Sequence, residues 1–339
     1  MIIGFIGLGK MGKNMVLNLI SKNIKVIAYN RSQESTLELA RKGAVPALSI
    51  RELISKIEDS KKIIWLMLPA NAVDHIINEL KIYLTKGDII IDGGNSYYKD
   101  SMRRARDLKA IGVNFMDVGV CNGPEGALHG SCLTIGGDIK VYENLRLLFS
   151  SLSAKDSYLY TGFSGSGHYA KMVHNIIEYG MMQSIGEGFE SLYHSGFNFS
   201  LKDMARLWSN SSLVKSKLIE LTANCLEKNP NLENVQPYVG DTGEGRWAIL
   251  NSMEKEIPVP ASSIALMARF RSRENDFIAE KLIASLRHEF GSHEIKNEIE
   301  NKKEKNIFEK INKKIHKIKI NKKVKSNKKI KAKIRKKKR

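Results

Sequence analysis

Five polar residues share one stripe of a helical segment. From Gly167 to Gly180 the apolar spacing predicts a helix, and Lys171, His174, Asn175, Glu178 and Tyr179 fall at i, i+3, i+4, i+7 and i+8. Ala170, Met172, Val173, Ile176, Ile177 and Met181 occupy its other faces. A narrow polar seam on an otherwise apolar helix predicts a buried helix that lines a cleft. A lysine and a carboxylate two turns apart can accept and donate protons where burial brings their pKa values toward neutrality. The same spacing also fits a structural ion pair between Lys171 and Glu178.

A second chemical string lies near the start. Gly7, Leu8, Gly9, Lys10, Met11 and Gly12 follow the apolar run Ile2 to Ile6 and open a helical pattern. Glycines in this strand–turn–helix setting allow a tight turn and close backbone approach to a pyrophosphate, and the helix N-terminus offers N–H groups to the phosphates. The next strand ends at Tyr29, followed by Asn30, Arg31 and Ser32. No acidic residue stands there to accept ribose hydroxyls. Donors and a positive charge suit a 2′-phosphate instead, which favours NADP with NAD as the alternative. No His/Cys/carboxylate set has metal-ligand spacing, so no metal is expected.

The elements that must position these groups follow from the apolar pattern. Ile2 to Ile6, Lys25 to Tyr29, Ile63 to Leu68, Asp88 to Ile91 and Val113 to Met116 read as buried strands separated by amphipathic helices. That alternation predicts an α/β Rossmann fold, a doubly wound parallel sheet covered on both faces, over residues 1–160. Beyond Gly167 the strand signal stops. Long helical stretches, Tyr169 to Tyr193 and Leu201 to Leu226 among them, predict an all-α domain over 161–293, interrupted by the Pro/Asn/Gly-rich stretch Asn229 to Gly245.

Charge divides the chain further. The net charge is +19, but Glu294 to Arg339 hold 21 Lys/Arg against 5 Asp/Glu, and the preceding 293 residues are left with a balance of +3. The basicity therefore belongs to a low-complexity tail, 294–339. It reads as a solvated, disordered extension, with nonspecific contact to polyanions, nucleic acid or anionic lipid, as alternatives. Three cysteines, Cys121, Cys132 and Cys225, form no disulfide framework and suit a reducing compartment. The first apolar run has no basic leader, and no run approaches membrane-spanning length, so a cytoplasmic protein is expected.

At this point the residues resemble a known family. The glycine string, Asp92-Gly93-Gly94-Asn95-Ser96, the helix from Gly167 to Gly180, Gly240 to Trp247, and Arg287 to His293 are together similar to the 6-phosphogluconate dehydrogenases, in particular their short form. The resemblance runs from Met1 to about His293. It implies oxidative decarboxylation of 6-phosphogluconate to ribulose 5-phosphate in the pentose phosphate pathway and gluconate utilisation. It implies Lys171 as general base and Glu178 as general acid. His174 and Asn175 would bind substrate hydroxyls, Asn95 would lie near both nicotinamide and substrate, and Pro69 and Ala70 would border the cofactor. Tyr179, Arg246, Arg269, Arg287 and His293 would read the phosphate, with Arg246 where long forms more often carry lysine. Arg287 and His293 would reach a neighbouring subunit's site, implying an obligate dimer or larger homo-oligomer.

One departure stands out. The family's substrate-carboxylate loop usually reads Ser-Gly-Gly, and here Cys121, Asn122 and Gly123 take its place. A thiol is a weaker donor than a hydroxyl, so weaker substrate binding or a shifted preference is expected. Two other readings stay open: a β-hydroxyacid dehydrogenase for an unphosphorylated acid, and a non-catalytic Rossmann sensor with a polyanion-binding tail.

Overall fold

The computed structural model describes residues 1–58, 61–274 and 277–291. The chain begins with strand β1 (Ile2–Ile6), helix α1 (Lys10–Ser21), β2 (Lys25–Tyr29), α2 (Gln33–Ala40), β3 (Val45–Ala47) and α3 (Ile50–Ser55). It continues with β4 (Ile63–Leu66), α4 (Ala70–Lys81), β5 (Ile89–Asp92), α5 (Tyr98–Lys109) and β6 (Asn114–Cys121). Then come α6 (Gly123–His129), β7 (Ser131–Gly136), α7 (Ile139–Asn144), α8 (Arg146–Leu152) and β8 (Ser153–Gly162).

One sheet holds all eight strands in the order β3-β2-β1-β4-β5-β6-β7-β8. β1 to β6 run parallel, β7 is antiparallel to β6, and β8 runs parallel to β7. The sheet is thus mostly parallel rather than wholly so. Successive residues of β1 and β4 serve opposite faces: Phe5 and Trp65 enter one apolar layer with Ile91, Val118 and Phe149. Ile6, Ile64 and Leu66 enter the other with Leu53, Ile90 and Leu108. Continuous apolar strands are what a sheet buried on both faces requires.

Six helices follow, with no further strand among the described residues: α9 (Ser166–Tyr193), α10 (Leu201–Asn210), α11 (Lys217–Lys228), α12 (Glu244–Glu254), α13 (Pro260–Arg271) and α14 (Ile278–Gly291). The stretch from Leu201 to Leu226, expected as one helix, is two. Ser211 ends α10 in an extended conformation, and the Ser216 hydroxyl accepts the Ile219 N–H at 3.3 Å to start α11. Serines compete with helical backbone bonding and favour caps, and the apolar period alone did not register them.

Met1–Arg273 form one compact unit, and α14 belongs to a second. No described helix is long and apolar enough to cross a membrane. The basic tail lies outside the described residues.

Candidate active site

In an open α/β sheet the ligand crevice lies at the carboxyl ends of the strands, where the strand order reverses. Here that point is between β1 and β4. The glycine loop leaves β1 there. Gly7 has a φ of +100°, and a Cβ at Gly12 would lie 1.9 Å from the Gly7 carbonyl oxygen, so α1 can pack this tightly only with glycine at that position. Space stays open around Gly9, which caps α1 without any side-chain hydrogen bond, and the first turn of α1 carries no acid. This cradle fits a dinucleotide: a close, side-chain-free approach to a helix N-terminus suits its pyrophosphate.

Asn30 has a job that the string did not reveal. Its amide oxygen accepts the Leu8 N–H at 3.0 Å, and its amide nitrogen donates to the Ser32 carbonyl at 3.1 Å. It braces the glycine loop from the neighbouring strand. Arg31 and Ser32 are exposed beside it. Pro69 precedes α4 at the end of β4, and Ala70 begins that helix.

Asn95 follows β5 on a loop held by a buried network. The Asp92 carboxylate accepts the Gly94 N–H at 3.0 Å, the Ser96 hydroxyl at 2.7 Å and the Arg104 guanidinium at 3.2 Å. Arg104 also reaches Asp74 at 2.8 Å. Its hydrogen bond, with help from Arg103, holds the Asp74 carboxyl down at about 2. Sequence reasoning passed over Arg104. The available signal is its position three residues after Ser101 and four before Leu108, on the buried stripe of α5.

α9 reaches the sheet at its first turn. The buried Asp117 carboxylate on β6 accepts the backbone N–H groups of Gly165 at 2.6 Å and His168 at 2.9 Å, so a fixed negative charge meets the positive end of the helix. A Cβ at Gly119 would come within 2.5 Å of the Lys171 Cβ, which shows how closely α9 lies against β6. The buried His168 ring bonds the Ser101 hydroxyl at 2.7 Å. Asp117, Ser101 and His168 are the anchors of the lysine-bearing turn.

A cleft of about 1150 Å³ opens over these ends. Its lining brings together Asn95, Cys121, Asn122, Gly123, Lys171, His174, Asn175, Glu178, Tyr179 and Arg269, with Met11 from the first turn of α1. The seam on α9 does face one space. The helix is not buried around its circumference, however: Ile177 is 57% exposed and also faces the cleft. Among the described residues no Lys171–Glu178 ion pair occurs, and the Glu178 carboxylate lies 3.7 Å from His174 Nδ1. The Lys171 side chain instead approaches the Cys121 thiol, whose pKa burial pushes up and Lys171 draws down in part.

At the far end of the cleft, the Arg269 guanidinium lies 3.4 Å from the centre of the Tyr179 ring and donates to the Gly240 carbonyl at 3.1 Å. Burial raises the Tyr179 hydroxyl pKa, and Arg269 offsets part of that. Arg246 does not line the cleft; it pairs with Asp241 at 3.0 Å. Burial opposes ionisation of Asp241, yet bonds from Arg273 and the charge of Arg246 keep its carboxyl below the usual range. Arg287 is exposed on α14, and His293 lies outside the described residues.

At the junction of β6 and α6, Asn122 has a φ of +81°. Asn tolerates this left-handed conformation better than other non-glycine residues. Asn122 thus holds a backbone conformation that few other non-glycine side chains adopt at so little strain.

The fold and the cleft define the class: a Rossmann-type oxidoreductase with a helical second half. The same architecture occurs in the 3-hydroxyisobutyrate dehydrogenase of Mycobacterium tuberculosis, at 18% identity and a TM-score of 0.61 over 84% of this chain and 99% of that one. Residues 2–162 match the NAD binding domain of 6-phosphogluconate dehydrogenase and 167–337 its C-terminal domain; the chain belongs to the 6-phosphogluconate dehydrogenase family. YqeC of Bacillus subtilis is 40% identical over 291 residues, 86% of this chain and 98% of that protein. The NAD(+)-dependent, decarboxylating 6-phosphogluconate dehydrogenase of Haloferax volcanii is 38% identical over 86% of this chain and 98% of its own. The Plasmodium falciparum 6-phosphogluconate dehydrogenase, solved apo, with its cofactor NADP+ and with its substrate 6-phosphogluconate, superposes with a TM-score of 0.74. It is 33% identical over 88% of this chain and 66% of that longer one.

Proposed function

We propose that this chain oxidises and decarboxylates 6-phosphogluconate, giving ribulose 5-phosphate and carbon dioxide. The observation that carries this reading is the one cleft joining Lys171, His174, Asn175 and Glu178 of one helix to Asn95 and, through Met11, to the first turn of α1 behind the glycine loop.

Gly7 to Gly12 hold the pyrophosphate, and Pro69, Ala70 and Asn95 border the nicotinamide, which when bound accepts the C3 hydride. His174 and Asn175 orient the sugar-acid hydroxyls. The Lys171 amine takes the C3 hydroxyl proton. The resulting β-keto acid loses its carboxylate because the ketone accepts the electron pair, and the charged Lys171 ammonium stabilises the developing enolate oxygen. Glu178 then protonates C1. Cys121, Asn122 and Gly123 receive the substrate carboxylate. Tyr179 and Arg269 receive its phosphate, with Arg246 approaching from Asp241, and Arg287 and His293 coming from a neighbouring subunit.

NADP is the favoured cofactor. Arg31 is exposed at the end of β2, where no carboxylate replaces Asn30 or Ser32. Relatives of both kinds exist: the Haloferax volcanii enzyme is NAD(+)-dependent, and an NADP(+)-dependent Bacillus subtilis enzyme is 36% identical over 80% of this chain. The working division is a nucleotide domain over 1–160, a substrate and dimerisation domain over 161–293 and a basic tail over 294–339. The cytoplasm is the proposed compartment, in keeping with three free cysteines.

The test is formation of reduced cofactor from 6-phosphogluconate by the purified chain, with NADP and NAD in parallel. Turnover with NADP is expected. Turnover with NAD alone overturns the reading of Arg31, and none with either overturns the substrate. A fully active monomer in sedimentation would overturn the shared site.

A further inference from the structure

Cys121 closes β6 and Cys132 lies near the start of β7, and the antiparallel register sets them directly opposite each other. Directly opposed residues project from the same face of a sheet with Cβ atoms about 4.5–5.5 Å apart, and a disulfide needs about 3.5–4.5 Å. A small approach of the two strand ends therefore suffices. Both side chains line the cleft, one buried and one exposed. Lys171 and Cys132 are both close enough to act on the Cys121 thiol, Lys171 drawing its pKa down and Cys132 pushing it up beside the larger effect of burial. The proposed reaction uses Cys121 only as a donor to the substrate carboxylate and makes no use of Cys132.

We propose that Cys121 and Cys132 are a redox-active dithiol in the floor of the cleft, converted by a low-molecular-weight disulfide into an intramolecular disulfide beside Lys171. Cys132 is the exposed member and meets the oxidant. Its thiolate attacks one sulfur of the small disulfide, whose S–S bond breaks and releases one thiolate. Cys121 then attacks the Cys132 sulfur and expels the second. The two cysteines are oxidised by two electrons, the small disulfide is reduced to two thiols, and the two cysteine protons end on those thiols. Burial holds the Cys121 thiol above its ordinary pKa, and the charge of Lys171 offsets part of that for the second step. Once closed, the bridge removes the S–H donor from the substrate loop and pulls that sulfur away from Lys171.

The loss of turnover rests on the proposed dehydrogenase reaction, whereas the cross-link does not. The full chain, reduced, is treated with oxidised glutathione, alkylated and mapped by peptide mass, and its turnover is followed in parallel. Expected are a Cys121–Cys132 linked peptide, Cys225 alkylated or carrying glutathione, loss of most turnover, and recovery with dithiothreitol. Cys132→Ser should show no link and an equal turnover before and after oxidant. Glutathione left on Cys132 without a link, alkylation of both cysteines, or a link with unchanged turnover would overturn the proposal. A reduced chain without any turnover would overturn the dehydrogenase reading, and the peptide map would still decide the dithiol.

Discussion

The sheet half and the helical half contribute to one cleft by different means. From β1 to β8 the contribution includes the glycines Gly93, Gly94 and Gly123 at strand ends, held over two extensive apolar layers, one of which fully buries Phe5, Trp65 and Phe149. From α9 onward it comes from side chains of α9, joined by Leu218 and Leu221 of α11 and Arg269 of α13. Behind them lie small clusters, such as Tyr179 with Ile249, Ala265 and Leu266, or Phe189 with Ala205, Ile219, Ala223 and Leu226. Phe197, Tyr193 and Leu207 in this half are exposed. A backbone site needs a rigid support and tolerates no added Cβ at its tight point. A side-chain site needs the right groups on one face and an anchor for their helix, here Asp117 beneath the first turn of α9.

The sharpest way to separate the two halves is Lys171→Ala. Loss of the proton acceptor should lower turnover by roughly 10²–10⁴-fold while cofactor binding, followed by fluorescence titration, stays as it was. An equal loss of cofactor affinity would mean that the helix also supports the glycine loop.

Core truncation compares the supports. Trp65→Ala should cost about 3–5 kcal/mol in urea unfolding, because a fully buried ring leaves a cavity the sheet cannot close. Phe189→Ala should cost less, since its cluster is small and borders solvent. Equal costs would erase the distinction.

The smallest effect concerns Asp74, which Arg104 ties to the loop bearing Asn95. Its carboxyl titrates at about 2, below its ordinary 3.8. A depressed folded pKa means stability that is present above the ordinary value and is lost as pH falls through the interval down to about 2. The side chain is 46% exposed, so solvent screening leaves only about 1 kcal/mol. Asp74→Asn should be less stable by that amount at neutral pH, and denaturant midpoints of the two proteins should converge in acid. A constant gap would show that the ion pair is not its source.

Much of the sheet half is legible in the chain. β1 is a continuous apolar run and β2 is one after its exposed first residue, Lys25; the ends of both match the expectation residue for residue, and β4 and β5 differ by one or two residues. β3 is three residues long and β8 alternates poorly, with a largely half-exposed pattern. Such strands exist because a neighbour offers hydrogen bonds, and that is not written in their own period. β6 runs on to Cys121, beyond the expected Met116, because β7 pairs with its second half.

Within the candidate site the seam of Lys171, His174, Asn175, Glu178 and Tyr179 was readable because helical periodicity is local. The roles of Asn30 and Arg246 were not. Asn30 accepts the Leu8 N–H, and Arg246 pairs with Asp241 while its side chain stays half exposed.

Strand and helix periods, the glycine turn and the polar face of α9 are written in neighbouring residues and can be read along the chain. Partners are set by folding: Asp117 under α9, Arg104 on Asp92, and Cys132 opposite Cys121. Buried charges and thiols take their chemistry from atoms that folding brings within a few ångströms, and separation along the chain says little about which atoms those are.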